Sequence, residues 1–530
     1  MKRQTRKRCD RFSCFFLVAL LSAGLLPGTA QAQLAEPGAE SWSMAAQVRS
    51  GDLEPEPERL SLDEAIARSL TGNPDLQIDR SDARSAEWEL RSSRADLLPS
   101  LRTGFGVSWE GSGSQRLGSL TGDDLGVGGQ PSFLFSSYDA GFTWNLSGPS
   151  LLGVREREAS LEASRAGVSS SETELEREVT LRYLEARRRV RAINLARDEL
   201  TQAESNLALA TARVEVGAAT SLDERQARVG VGQARVNLLQ EEGEARSARI
   251  RLRELMGDPP VDAPLELTTE FQPTPPRWTQ EELVGLALRH SPRVDWFRAR
   301  REVADRRVRS ARSAYLPSIT VQGGWSGFTR AARSETALLD QARSRFEQQM
   351  DQCRMENEIF SRLADPLPLR DCSPLEWSSS HRDAVISGNR AFPFDFTNQP
   401  PQLSLSVSIP IFQGLDRRRG LELARMERQN NEHQLRREEL DLRSRIGQGL
   451  IRAEVAWEAL ELEAENQELA EDQLQLAREQ YELGMVDFLQ LLDAQSIRAR
   501  ADRDYLAAVF TYKEALTNLE GIVGLRLLNR

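Results

Sequence analysis

Four segments of the chain alternate apolar and polar residues with a period of two, the pattern of a strand that has one apolar face. The clearest is the segment in which Leu403, Leu405 and Val407 alternate with serines. This alternation predicts strands at about 101–109, 137–146, 318–326 and 402–412. Each has about ten residues, the length of a tilted transmembrane strand. The alternation alone is equally compatible with a soluble sheet that has one solvated face.

Two longer segments place apolar residues three and four positions apart, the spacing of coiled-coil helices. The spacing runs from Leu175 to Ile193 in the first segment and from Ile446 to Ala464 in the second. Residues 151–216 contain no proline, so they can form one helix of roughly 100 Å. Glycines end both long helices, and antiparallel return helices are predicted to follow. The predicted helical hairpins cover residues 151–256 and 415–523.

The chain contains the same unit twice. Asn73-Pro74 recurs as Ser291-Pro292, 218 residues later, and a Leu-Pro-Ser motif recurs at the same interval. The helix-ending glycines Gly217 and Gly484 are 267 residues apart, so the second copy holds 49 additional residues. They lie between the two strands of the second copy, where the spacing is longer by that amount. A duplication of this length constrains the whole architecture.

The duplication defines the domain organisation. We predict a first repeat at 60–257, a proline-rich link at 258–277, a second repeat at 278–524, an insertion at about 327–400 and a short tail at 525–530. The capping pattern of Ser61 and Glu64 predicts a helix that Asn73-Pro74 ends. A second helix is predicted to reach about Asp96, and residues 332–360 of the insertion are compatible with a helix.

The N-terminus has the organisation of a secretory signal peptide. Six basic residues precede a twelve-residue, mostly apolar run from Phe15 to Leu26, which is too short to span a bilayer as a helix. Ala30-Gln31-Ala32 is a cleavage motif, so residues 1–32 are predicted to be removed and 33–59 to form a flexible tether. No lipidation motif follows the run, so we expect no lipid anchor.

Composition argues against a nucleic-acid partner. The net charge is −11, and it becomes −16 when the six basic residues and one acidic residue of segment 1–32 are removed. The mean hydropathy is −0.49, and the remainder of the chain contains no apolar stretch as long as a transmembrane helix. An exported chain can still enter a membrane through β-strands, whose hydropathy signal is weak. The predicted export and the large aromatic residues near the strand ends favour a membrane barrel over a soluble sheet.

The residues that most often carry chemistry are few. Cys353 and Cys372 remain after the predicted cleavage, and an even pair in an exported protein favours a disulfide. The three histidines lie far apart in the sequence, and no His, Cys and carboxylate spacing suggests a metal. Phosphate-binding and dinucleotide-binding loops are also missing. We therefore expect no metal, no cofactor and no enzymatic activity.

Four strands are too few to close a membrane barrel, which needs about eight. An open sheet edge is not tolerated in lipid, because its backbone groups would have no hydrogen-bond partners. If the strands span a membrane, the chain must therefore form an oligomer. Three chains would supply twelve strands.

These motifs, in this order and present twice, resemble those of the TolC family of outer-membrane efflux proteins. The resemblance extends from about Leu60 to Gly524. The matching pieces are Leu62-Asp63-Glu64-Ala65-Ile66 with Asn73-Pro74, the Leu-Pro-Ser strand entries, Ile409-Pro410-Ile411-Phe412, and the segments 216–223 and 481–494. No single motif is specific, but their order and repetition are.

The resemblance implies a homotrimer with a twelve-stranded outer-membrane β-barrel that continues into the periplasm as an α-helical tunnel. The hairpin ends would form the far end of the tunnel, where the family docks a periplasmic adaptor protein linked to an inner-membrane pump. The chain would be a passive channel surrounded by outer-membrane lipid, and it would serve efflux or secretion. The insertion would lie outside the cell. The alternative function is a secreted coiled-coil scaffold or adhesin without a pore.

The resemblance also implies roles for residues at the hairpin ends. The adaptor-docking residues would be Gly217, Ala218, Ala219, Gly484, Met485 and Val486. The gate residues would be Asp223, Tyr481, Gln490 and Asp493, with a Tyr481–Asp223 hydrogen bond as the latch. Gln490 and Val486 depart from the family pattern, which has an aspartate and an arginine at these positions. The simpler interpretations are left-handed helix caps for the glycines and an ordinary solvated face for the acidic residues.

Overall fold

The computed structural model describes residues 58–113, 116–117, 120–121, 132–217, 219–259, 264–363, 365, 367–390 and 392–527. The predicted signal peptide, nearly all of the predicted tether and the last three residues of the predicted tail lie outside the described residues. The helices are α1 Leu62–Gly72, α2 Pro74–Ala95, α3 Gly148–Glu215, α4 Ser221–Met256, α5 Gln280–His290, α6 Pro292–Ser313, α7 Glu335–Arg362, α8 Ser379–Asn389, α9 Asp416–Glu482 and α10 Phe488–Val523. Within the described ranges, none of these helices is both long and apolar enough to cross a membrane.

The four predicted strands are neighbours in one antiparallel sheet. The strands are β1 Glu58–Leu60, β2 Ser100–Glu110, β3 Arg116–Leu117, β4 Leu120–Thr121, β5 Phe133–Leu146, β6 Leu265–Leu267, β7 Ser318–Ala332, β8 Thr397–Asn398 and β9 Gln402–Ser408. The sheet has the order β2, β5, β7 and β9, and the short strand β8 also pairs with β7. The edges of the sheet are therefore β2 and β9.

Three strand bounds differ from the prediction. β5 begins four residues earlier than expected, and β7 extends to Ala332, so the insertion starts later than residue 327. β9 ends at Ser408 instead of residue 412. Pro410 has no backbone N–H to donate to the sheet, which explains why the ladder stops before it.

One face of this sheet is apolar and rich in aromatic residues. Tyr138 and Phe142 of β5 are directly paired with Gly327 and Gly323 of β7. A Cβ atom at Gly327 would lie 2.5 Å from Tyr138 Cε1, so the glycines leave room for the rings to lie across β7. Leu101 on the same face is 82% exposed. Phe394 and Phe396 of the insertion cover only part of this face, at Phe105 and Tyr138. The part that stays exposed is a contact surface for lipid or another copy.

The long helices form two antiparallel hairpins. α3 packs against α4, α9 packs against α10, and α3 also contacts α10. The four helices therefore lie in the order α4, α3, α10 and α9, with α4 and α9 outermost. Residues of the predicted coiled-coil rows form the contacts, and Val179, Tyr183 and Ile446 are fully buried.

A small parallel ladder joins the start of the described chain to the link between the repeats. β1 pairs with β6, and the Tyr183 hydroxyl donates to Leu60 O at 2.9 Å and accepts from Thr269 N at 3.1 Å. The Arg68 guanidinium beside Glu58 lowers the pKa of that carboxyl. Residues 58 and 59 are thus part of the folded body, although we had predicted that the tether includes them.

The insertion between β7 and β9 contains two helices, α7 and α8. A disulfide with an S–S distance of 2.03 Å joins Cys353 of α7 to Cys372, which precedes a short 3₁₀ turn at Ser373–Leu375. The Asn389 side chain accepts a hydrogen bond from Ala332 N and donates one to Ala332 O, which fastens the end of α8 to the end of β7. The insertion is therefore tied to the sheet at its base and closed on itself farther out.

We expect the double substitution C353S/C372S to destabilise the insertion by about 3 kcal/mol, because the disulfide closes a loop of about twenty residues. Limited proteolysis should then cleave the segment between α7 and α8 faster, while the sheet and the long helices stay resistant. Maleimide labelling of the unreduced, denatured wild-type protein is the control. Two reactive thiols in that sample would show that the cysteines are not bridged.

Candidate functional site

The candidate site lies where the two helical hairpins reverse direction. Gly217 follows α3 with φ +76°, and Gly484 follows α9 with φ +73°. Both glycines therefore adopt the predicted left-handed cap conformation, which costs other residues free energy. Gly484 N donates to Tyr481 O at 3.1 Å and Met485 N donates to Gln480 O at 2.9 Å, the two bonds of a Schellman motif.

The Asp223 carboxylate is used locally, as a helix cap. Its Oδ2 atom accepts hydrogen bonds from the backbone N and the hydroxyl of Thr220, both at 2.8 Å, at the start of α4. The structure does not contain the hydrogen bond that we predicted between Tyr481 and Asp223. The reason is that the capping box satisfies the carboxylate within its own helix turn.

Tyr481 lies instead in a buried apolar cluster that joins the two hairpins. The cluster contains Ala210, Ala227, Leu474, Tyr481, Phe488, Leu491 and Ala494. Tyr481 is only 5% exposed, and its ring is 6.0 Å from the ring of Phe488. We call this set the tip cluster. It draws residues from all four long helices, so it holds the hairpin ends together.

Arg213 is a site residue that the sequence analysis missed. Its guanidinium carbon lies 4.2 Å from the centroid of the Tyr481 ring, a cation–π geometry. Its Nη2 atom also donates to Tyr481 O at 3.4 Å. Arg213 belongs to α3 and Tyr481 to α9, so this arginine links the two hairpins where we had expected the hydrogen bond of Asp223.

The predicted gate residues of α10 lie on its exposed face. Gln490 and Asp493 are three positions apart and both are exposed, as expected for one helix face. Asp487 is the N-cap of α10, and its carboxylate accepts a hydrogen bond from Gln490 N at 2.9 Å. Among the residues that the structure describes, no group of three or more His, Cys, Asp or Glu is placed to hold a metal ion.

The hairpin ends also expose apolar side chains. Val216, Leu483 and Met485 surround the two glycines and are each at least 66% exposed. Of the other predicted docking residues, Ala219 is half-buried, whereas Ala218 lies outside the described residues. Val486 packs against the tip cluster, so it faces inward more than its predicted docking role requires.

A polar layer lies next to the tip cluster, on the side away from the helix-ending glycines Gly217 and Gly484. The side chains of Asn206 and Gln495 exchange hydrogen bonds of 2.6 Å and 3.1 Å. Around this pair, residues of all four long helices line a cavity of about 600 Å³. A polar pair of this kind within a helix interface fixes the register of packed helices at a cost in stability. The tip cluster is thus an apolar unit separate from the body above it.

Comparison with known proteins identifies relatives for most of the chain. The family described as outer membrane efflux protein matches residues 65–258 and 375–525. Two curated relatives from Pseudomonas putida strains, the toluene efflux pump outer membrane protein TtgF and the probable efflux pump outer membrane protein SepC, are each 30% identical over 263 residues. Each match covers 49% of this chain and 52% of the relative, so the chain spans about half the length of these relatives.

Solved structures share the fold over nearly the whole chain. A crystal structure of CusC superposes with a TM-score of 0.64 at 16% identity, over 88% of this chain and 92% of that chain. The CmeC outer membrane channel of Campylobacter jejuni gives a TM-score of 0.65 at 12% identity, over 87% and 85%. The MtrE outer membrane channel of Neisseria gonorrhoeae gives 0.62 at 19% identity, over 88% and 89%.

Proposed function

This chain belongs to the outer membrane efflux protein family, and from that premise we propose that it is a passive exit channel of an efflux or secretion system. One observation carries the proposal: a sheet with an apolar face and two open edges continues directly into helices of 68 and 67 residues. Helices of that length extend roughly 100 Å. The chain is therefore built to join a membrane to a distant partner.

Closure of the sheet requires other copies of the chain. β2 and β9 are both open edges, and unpaired backbone groups at such edges are not tolerated in lipid. A heterologous contact that joins β2 of one copy to β9 of the next would form a ring. Three copies give a barrel of twelve strands, with the apolar face toward outer-membrane lipid and the serine and threonine face toward the bore.

The test of the proposed function is the mass of the purified protein in detergent. We expect three copies of the chain, because the sheet edges then pair completely. Folding should be monitored on the same sample by the change in gel mobility on heating, which is typical of membrane barrels. A stable, folded monomer would contradict the channel and favour the alternative of a scaffold without a pore.

The proposed partners are a periplasmic adaptor protein and, through it, an inner-membrane pump. Val216 and Met485, which are exposed beside Gly217 and Gly484, would belong to the adaptor-docking surface. The curated relatives are named for different cargoes, toluene for one and pyoverdine for another. A passive channel accounts for such variety, because the pump would supply both the energy and the choice of substrate.

We expect Gly484→Val to weaken adaptor docking while the barrel still assembles. A branched side chain at φ +73° costs roughly 1–3 kcal/mol, which would distort the turn that presents Met485. Site-directed cross-linking to the adaptor in cells measures the effect. Gly420→Val is the matched control, because Gly420 has open space around it and no positive φ. Equal adaptor cross-linking in both variants would argue against docking at this turn.

The proposed gate is the tip cluster together with the exposed face of α10. In the trimer, three tip clusters would surround the tunnel entrance, and Asp493 would be repeated three times around the axis. The contact between Arg213 and Tyr481 supports this assignment, because it joins the hairpins at the point that must separate for the entrance to widen. Asp223 contributes by capping α4, and Gln490 by its position beside Asp493.

A further inference from the structure

The two outermost helices, α4 and α9, each carry a row of exposed apolar residues seven positions apart. Residues with this spacing lie on one face of a coiled-coil helix. Their exposed fractions range from 54% to 74%. The α4 row consists of Leu222, Val229 and Val236, and the α9 row consists of Leu469, Leu476 and Leu483.

Both rows face away from the rest of the chain. Ala227 of α4 and Leu474 of α9 are buried in the tip cluster, and each precedes a row residue by two positions. Two positions correspond to about 200° around a helix. The rows therefore lie almost opposite the sides on which α4 contacts α3 and α9 contacts α10. A helix in the wall of a tube would present its next neighbour with such a face.

We propose that α4 of one copy packs antiparallel against α9 of the next copy, with the two rows in register. The inference rests on the proposed trimer and adds the residues that join its copies. The pairs are Leu222 with Leu483, Val229 with Leu476, and Val236 with Leu469, and in every pair the residue numbers add up to 705. A single antiparallel register requires a constant sum of this kind.

The residues beside the rows fit the same register. On one flank each helix carries amides, three positions before or four positions after a row residue. Their pairs have residue numbers that add up to 706, and they are Gln226 with Gln480, Gln233 with Gln473, and Gln240 with Asn466. Equivalent flanks of two antiparallel helices meet on the same side of the contact, so these amides can hydrogen-bond to each other.

The opposite flank carries complementary charges. Arg228 and Arg235 of α4 would meet Glu479 and Asp472 of α9, and the residue numbers of both pairs add up to 707. Arg228 also pairs with Glu224 of its own helix at 2.7 Å. Opposite charges at flanking positions select partner and register in coiled coils.

The tip cluster supports this register independently. Rotation about a threefold axis does not change the height of a residue along that axis. If a residue of α4 and a residue of α9 are level with each other in one chain, the same α4 residue is therefore also level with that α9 residue of the neighbouring chain. Ala227 of α4 shares the cluster with Leu474 and Tyr481 of α9, which gives sums of 701 and 708. The proposed sum lies between them, whereas a shift of one heptad to 698 or 712 lies outside.

Cysteine cross-linking tests the register in full-length chains that carry C353S/C372S. Oxidation of the V236C/L469C variant should produce a covalent trimer on a non-reducing gel. The V236C/L476C variant, one heptad out of register, and each single cysteine variant should produce none. The mass in detergent is measured for every variant, so that trimer formation is known separately from cross-linking.

Each outcome has a defined meaning. We call the proposed contact between α4 of one copy and α9 of the next the seam. A native trimer without the in-register cross-link, or with an equally efficient shifted cross-link, would overturn the seam and leave the channel proposal intact. A folded monomer would overturn the channel proposal itself. As a second measurement, Arg235→Glu should lower the temperature at which the trimer dissociates in detergent, and adding Asp472→Arg should restore it. A double variant no more stable than Arg235→Glu alone would contradict the charge pairing.

Discussion

Tyr481→Leu is expected to raise the single-channel conductance of the trimer in planar bilayers, whereas Tyr481→Phe should leave it nearly unchanged. The ring packs in the tip cluster and under the Arg213 guanidinium, and phenylalanine keeps both contacts. Leucine loses the cation–π contact, worth about 0.5–2 kcal/mol. A loss of about 1.4 kcal/mol would shift the balance between closed and open entrances roughly tenfold.

Substitutions of Arg213 provide the matched series. Arg213→Gln should open the entrance as Tyr481→Leu does, and Arg213→Lys should have a smaller effect because a lysine can still lie over the ring. The sequence-based hypothesis, a latch made by the Tyr481 hydroxyl, predicts that Tyr481→Phe alone raises conductance. If the conductance of Tyr481→Phe is as high as that of Tyr481→Leu, the Tyr481 hydroxyl keeps the entrance closed and the contact with Arg213 does not.

Most of the fold could be predicted from the sequence because its signals are local and repeated. The alternation around Leu405 and the three- and four-residue steps around Ile446 follow directly from the periods of a strand and a helix. Duplication added long-range information that a single sequence seldom contains. The strand ends could not be predicted in the same way, because the extension of β7 to Ala332 depends on pairing with β5 and not on any local pattern.

The candidate site was predicted less completely, for a physical reason. The glycine caps are local features, so their left-handed conformation could be anticipated. The contact between Arg213 and Tyr481 joins residues 268 positions apart, and no periodicity reports it. The capping role of Asp223 did have a signal, since Thr220 precedes it by three positions. The family's hydrogen bond and this local cap compete for the same carboxylate, and the cap is the nearer partner.

The tip cluster and the proposed seam would stabilise different contacts of the tunnel. The seam lies between copies, whereas the tip cluster lies between the two hairpins of one copy. The polar layer at Asn206 and Gln495 separates the tip cluster from the body above it. Opening at the tip would therefore rearrange contacts inside each copy, while the seam pair farthest from the tip, Val236 with Leu469, stays in place. Substitutions at Tyr481 should accordingly change conductance without dissociating the trimer.

Asp493→Asn is expected to weaken block of the channel by multivalent cations such as hexaamminecobalt(III). Asp493 is exposed on α10 near the tip, and threefold symmetry would place three carboxylates around the entrance, an arrangement that attracts cations. Two unit charges 4 Å apart in water interact by about 1 kcal/mol. Removing three charges should therefore raise the blocking concentration about tenfold or more, measured from single-channel currents on the periplasmic side.

The same helix face offers a test in the opposite direction. Gln490→Glu would add three carboxylates beside Asp493, so it should strengthen the block. Asp504→Asn removes an equal charge from α10, eleven residues farther from the tip, a distance of roughly 16 Å. That is about twice the Debye length at physiological salt, so its effect should be small. Equal effects of Asp504→Asn and Asp493→Asn would show that net charge, and not a ring at the entrance, controls the block.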